Sequence, residues 1–111
     1  MSRVFVYEPV KTDIAPAQVF GEVVYLFTET IYRPSIWETQ ALQQAIFDRL
    51  VELDFSPDED FVAVVGPMIP VMLVFTVLDA AWGNYKVLLW NAEHREYQAR
   101  KIYQAPLLTR K

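Results

Sequence analysis

Arg3 to Tyr7 is rich in β-formers, with Val4, Phe5, Val6 and Tyr7 in succession. It predicts a first strand stopped by Glu8 and Pro9. Lys11 to Pro16 then reads as a connection. Within it Asp13 caps a short helix running through Gln18, with Pro16 in the first turn and Gly21 as terminator. Glu22 to Phe27 predicts a second strand. After Ser35 the apolar spacing changes to three and four residues, through Trp37, Ala41, Leu42, Ala45, Ile46, Leu50 and Leu53. That spacing predicts a one-sided helix from about Ile36 to Leu53, opened by a capping box between Ser35 and Glu38.

The next element breaks the pattern. Phe61 to Leu78 contains no charged residue and is fenced by Asp58, Glu59 and Asp60 on one side and Asp79 on the other. Such a run raises the question of a membrane span. Gly66, Pro67 and Pro70 argue against one, because they would break a helix at its centre and leave backbone groups unpaired in lipid. The run divides instead into a buried strand, Phe61 to Val65, a turn at Gly66 and Pro67, and a helix from Met68 to Trp82. Apolar side chains occupy nearly every position of that helix, and a helix apolar all round must be covered on all sides. With only 111 residues to cover it, the chain is expected to self-associate as a homo-oligomer, at the least a homodimer.

Gly83 and Asn84 end the helix, and Lys86 to Trp90 predicts a further strand. Asn91 to Arg95 is a polar turn, and Glu96 to Tyr103 pairs back as an antiparallel edge hairpin. A strand as apolar as Phe61 to Val65 belongs in a parallel sheet covered on both faces. The alternation of elements predicts one α/β domain over residues 1–111, a small three-layer, Rossmann-like fold. Its sheet is expected to be mostly parallel, with right-handed crossovers and a C-terminal antiparallel hairpin.

Composition adds limits. The apolar fraction is 53% and the charged fraction 22%, which describes an ordered globular chain with much to bury. Absence of Cys removes disulfides, thiolate nucleophiles and thiolate metal sites. Met1 to Tyr7 resembles neither a signal nor a transit peptide, so a cytoplasmic location is expected. Net charge is −4 but uneven: four bases face twelve acids up to Tyr85, whereas six bases face only Glu93 and Glu96 from Lys86 onward. With Trp90, Tyr97 and Tyr103 interleaved, that end has some features of a phosphate-tracking surface. The preferred reading is a hairpin edge whose Arg95, Arg100 and Lys101 discourage sheet-to-sheet aggregation, so neither a nucleic acid nor a membrane partner is expected.

Candidate chemistry is sparse. Val65-Gly66-Pro67-Met68 is a strand-turn-helix of the type that holds anions on helix amides, and Gly66, Pro67 and Met68 are candidate ligand contacts. The motif has one glycine, no P-loop Lys, and two prolines that remove amides. Thr28 to Pro34 is the longest irregular connection and follows a strand, which makes Thr28 and Thr30 further candidates. Asp58, Glu59 and Asp60 lack calcium-loop spacing and read as a solvated turn rather than a metal site. His94 lies in the predicted hairpin turn with no nucleophile context, and Glu8, Glu22 and Glu29 lie at or near strand ends without a distinguishing partner. No catalytic residue and no cofactor is expected.

Phe20-Gly21-Glu22-Val23-Val24, Asp60-Phe61-Val62-Ala63-Val64-Val65-Gly66, and Leu88-Leu89-Trp90 followed by Tyr97 together resemble a group of small phage-encoded proteins of unknown function. The resemblance spans most of the chain and implies a phage origin and a host cytoplasm. It supplies no catalytic residue, and Pro67 to Pro70 is more apolar and proline-rich than the group's pattern.

Candidate interface residues are Met68, Met72, Phe75 and Trp82 on the apolar helix, with Tyr32 and Trp37 near loops or helix ends. Phe75, like Phe61 and Trp90, is also large enough to belong inside. The function these features favour is a non-enzymatic interaction protein, a phage accessory factor that self-associates and binds or inhibits a host protein. The alternative is a small-ligand or nucleotide-binding module using the Gly66 turn.

Overall fold

The computed structural model describes residues 2–11 and 13–104. Arg110 and Lys111, which contribute to the basic C-terminal charge, lie outside the described residues. The first strand, β1 (Arg3–Val6), directs Val4 and Val6 to one face of the sheet and Phe5, with the following Tyr7, to the other. A 3-10 helix, Ala15–Val19, follows; its N-cap position is Ile14 rather than Asp13, and the Asp13 carboxylate accepts the Ala15 amide at 2.9 Å just ahead of it. Then come β2 (Glu22–Tyr25), α1 (Thr39–Glu52), β3 (Phe61–Ala63), α2 (Met68–Ala81), β4 (Tyr85–Asn91) and β5 (Glu96–Ile102).

These strands form one five-stranded sheet in the order β2-β1-β3-β4-β5, parallel throughout except for the β4–β5 hairpin. The connections leaving β2 and β3 travel across the sheet in one direction and set α1 and α2 on the same face. There Leu42, Ile46 and Leu50 of α1 and Val74, Val77 and Leu78 of α2 bury against Phe5, Tyr7, Val62 and Val87. The connection leaving β1 travels the opposite way, and Ala17 of the 3-10 helix packs with Val4, Val6, Ala63, Leu88 and Tyr97 on the other face. One crossover hand therefore produces three layers, the third a thin one.

Three expectations need correction. The Ser35–Glu38 capping box does not form: Glu38 donates its amide to the Ser35 carbonyl at 3.0 Å, closing a turn, and α1 starts only at Thr39. Ser35 Oγ accepts from the Trp37 amide at 3.2 Å within that turn instead. Trp90, expected inside, is about half exposed, because it sits near the end of the hairpin on the face without a long helix, packed edge-on against Tyr97 at 5.0 Å. Asp60 is not part of a solvated turn: it is 1% exposed and binds the Arg3 guanidinium at 3.2 Å, the Arg3 amide at 3.0 Å and the Ser56 amide at 2.8 Å. This clamp ties the amino ends of β1 and β3 together, at the opposite end of the sheet from the Gly66 turn.

Among the described residues no helix is long and apolar enough to cross a membrane. The apolar α2 is largely accommodated within the fold. Phe75 stacks on Tyr85 with ring centroids 6.1 Å apart, and Trp82, just past the helix end, lodges between Phe47 at 5.7 Å and Phe55 at 5.3 Å.

Candidate functional site

The direction of the connections reverses between β1 and β3, and in open α/β sheets the carboxyl ends of the strands flanking such a reversal frame a crevice. Here β1 delivers Tyr7 and Glu8 to that rim, and β3 delivers the Gly66 turn. Gly66 has φ of +113°, a conformation that side chains rarely adopt, so the chain can turn sharply into α2 only because this residue lacks a Cβ. Pro67 caps α2 in an extended conformation, and the first helical turn follows as Met68, Ile69 and Pro70. The irregular stretch between β2 and α1 folds over the same rim and brings Arg33 and Ile36.

The result is a crevice of about 480 Å³ lined by Glu8, Arg33, Ile36, Pro67, Met68, Ile69 and Pro70. Its one ion pair joins Arg33 Nε to Glu8 Oε2 at 3.0 Å, and both side chains are partly exposed. Its walls are otherwise apolar. Pro67 and Pro70 have no amide hydrogen, so the start of α2 offers only the Met68 and Ile69 amides to a ligand.

Tyr7 lies behind this pair. Its ring packs edge-on against Phe27 at 5.3 Å, and the Arg33 Cζ stands over the ring 5.8 Å from its centroid. The side chain is 3% exposed overall, and its hydroxyl is the one buried side-chain polar atom among the described residues without a hydrogen-bond partner. Leaving such a group unpaired costs ~1–3 kcal/mol. Burial pushes the Tyr7 hydroxyl above its ordinary value and Glu8 adds to this, while Arg33 pulls it the other way by charge and by its N–H groups approaching the hydroxyl oxygen; because a guanidinium only donates, the Tyr7 O–H itself has no acceptor.

The structure brings together some of the residues singled out from sequence and separates others. Pro67 and Met68 line the crevice and Gly66 forms the turn behind it. Thr28 and Thr30 do not line it; their hydroxyls pair with each other at 3.2 Å beside a bridge between Thr28 and Ile31. Met68 (76% exposed), Met72 (55%), Tyr32 (81%) and Trp37 (84%) lie at the surface, whereas Phe75 and Trp82 are half-buried in the contacts described above. His94 is exposed in the hairpin turn, where its amide bonds Asn91 Oδ1 at 3.1 Å. No group of three His, Cys, Asp or Glu side chains able to hold a metal occurs among the described residues.

Arg33 and Tyr7 were missed as site residues. Arg33 lies in the Thr28 to Pro34 connection, from which only Thr28 and Thr30 are expected as ligand contacts, and Tyr7 ends the first predicted strand. A signal was available in retrospect: Glu8 ends one strand, and Arg33 is the only basic residue in the loop that returns to that rim.

The strand order and the rim crevice define a small doubly wound α/β protein with a polar ion pair set in an apolar opening. The model of the family described as phage Pam3 gp32-like protein matches residues 3–103, and the chain belongs to that family. No curated protein and no solved structure matches it.

Proposed function

We propose that this phage protein is a non-enzymatic interaction factor that self-associates through the carboxyl rim of its sheet, and that it binds or inhibits a host protein in the bacterial cytoplasm. The observation that carries the reading is that five of the ten exposed large apolar side chains among the described residues belong to the elements that form this rim. Met68, Ile69 and Met72 are exposed on α2, and Tyr32 and Trp37 flank the two crevice residues Arg33 and Ile36. Large exposed apolar patches mark interaction surfaces on soluble proteins. Aromatic side chains contribute ~150–250 Å² each, so Tyr32 and Trp37 with the three aliphatic residues approach the ~800 Å² per partner of a standard interface. A second copy is the partner considered first, because a two-fold contact sets one such patch against itself.

Light scattering over a concentration range tests it. The expected result is twice the chain mass, reduced to the chain mass by Met72→Glu with the circular dichroism spectrum unchanged. Phe75→Glu, by contrast, places a charge against Tyr85 and should destabilise the fold itself. A monomeric wild type at all concentrations, or an undiminished assembly in Met72→Glu, would refute self-association through this rim.

A further inference from the structure

We propose that the crevice between the ends of β1 and β3 binds a small carboxylate with an apolar body, seated between the Arg33 guanidinium and the Tyr7 hydroxyl. The inference rests on the ion pair, the unpaired hydroxyl and the crevice walls, of which Met68 and Ile69 also belong to the proposed self-association surface.

Tyr7 supplies the first observation. A hydroxyl that the fold buries and leaves without a partner is uncommon and asks for an acceptor. Arg33 stands over the same ring, and among the described residues its only hydrogen bond is the one from Nε to Glu8. A guanidinium carries five N–H donors, so the remaining ones are available to a second acceptor. Tyr7 is 3% exposed and lies behind the crevice lining, so the Arg33 side chain, 36% exposed, must move aside to admit a ligand to the hydroxyl.

Ligand class follows from charge and walls. A carboxylate suits a planar guanidinium, which can hold both its oxygens. A polyphosphate does not suit this crevice, since Arg33 is its one cation, Glu8 stands beside it, and Pro67 and Pro70 remove amides that phosphate sites use. Ile36, Pro67, Met68, Ile69 and Pro70 offer open apolar walls for the rest of the molecule, and about 480 Å³ falls in the range of small-molecule sites. Glu8 repels the incoming anion, so the affinity expected of a minimal probe is weak, with a Kd on the order of 1 mM.

The test titrates the full chain with benzoate by isothermal calorimetry and by amide NMR shifts, with benzyl alcohol and inorganic phosphate as comparison probes. Expected are saturable benzoate binding with shifts centred on Glu8, Arg33 and Met68, and no saturation with the other two probes. Arg33→Gln should weaken binding at least ~10-fold and Tyr7→Phe several-fold. Glu8→Gln, which keeps an acceptor for Arg33 while removing the repulsion, should tighten it. If Arg33→Gln does not fold, the Tyr7→Phe and Glu8→Gln comparisons decide. Absence of benzoate saturation, equal binding of benzyl alcohol, preference for phosphate, or unchanged affinity in the variants would each overturn the proposal. Scattering masses of the same variants, expected to match wild type, keep this outcome separate from that for self-association.

Discussion

Asp60→Ala should be among the most damaging single substitutions in the chain, even though the residue lies in an acidic, polar-looking segment. Its carboxylate accepts from the Arg3 amide at 3.0 Å, the Ser56 amide at 2.8 Å and the Arg3 guanidinium at 3.2 Å, at 1% exposure. Removing one partner of a buried ion pair typically costs ~3–5 kcal/mol, because the remaining groups are left unpaired. The lower end applies here. Arg3 also donates to the Asp54 carbonyl at 2.8 Å, and its side chain is partly exposed, so the guanidinium keeps one protein partner and gains water. A loss of ~3 kcal/mol is a large share of the ~5–15 kcal/mol by which domains of this kind are stable. With a urea slope of ~1–3 kcal/mol/M, the unfolding midpoint should fall by roughly 1–3 M. The assay is urea unfolding followed by far-ultraviolet circular dichroism, with Asp60→Asn as companion. The asparagine keeps one acceptor oxygen and should lose less. An alanine variant within about 1 kcal/mol of wild type would refute the clamp, since that is no more than the net worth of a single ordinary hydrogen bond.

Two further outcomes are expected. Gly66→Ala should lower stability by about 1–3 kcal/mol through backbone strain alone, because a Cβ there meets nothing closer than Val10 Cγ1 at 3.7 Å while φ stays at +113°; an unchanged urea midpoint would mean that the turn relaxes freely. The Tyr85 hydroxyl is raised by burial and then by its hydrogen bond to Asp79 Oδ1 at 2.9 Å, so its contribution to stability is complete below the unfolded value of about 10 and is lost as pH rises through the higher folded value. Tyr7 and Tyr97 are raised as well, so wild-type stability should decline above about pH 10 and Tyr85→Phe should decline less steeply; parallel curves of urea midpoint against pH would contradict this.

Much of the fold was legible because local pattern and tertiary demand agree in it. Val4, Phe5, Val6 and Tyr7 alternate between two faces that are both covered, and Leu42, Ile46 and Leu50 fall on one side of α1. Of the charge-free Phe61 to Val65 expected as a buried strand, Phe61–Ala63 forms the central strand, and Val64 and Val65 fall outside it. What pattern did not reveal depends on contacts between residues far apart in the chain. Asp60 sits among Asp58 and Glu59 and differs from them only because Arg3, fifty-seven positions earlier, folds against it. Arg33 and Glu8, twenty-five positions apart, form the crevice pair for the same reason. At Ser35 the local signal misled: the box has suitable residue types, but the chain spends that hydrogen bond on a turn over the sheet rim.

An apolar helix demands cover, and most of this demand is met inside the chain: Val74, Val77 and Leu78 face the sheet and α1, Phe75 lies on Tyr85, and Trp82 wedges between Phe47 and Phe55. Farther along, the outward positions turn polar with Thr76, which bonds Gln43 across to α1 at 2.7 Å, and Asp79, which takes the Tyr85 hydroxyl. Large exposed apolar side chains on α2 are therefore confined to its first turns, on Met68, Ile69 and Met72, while the only apolar side chains exposed at its end are the small Ala80 and Ala81. A membrane-like or uniformly sticky helix would not be trimmed in this way. Confinement of the residue to one end, beside the strand reversal and its Glu8–Arg33 pair, is what a recognition surface requires: apolar area for affinity and a small number of fixed polar groups for orientation.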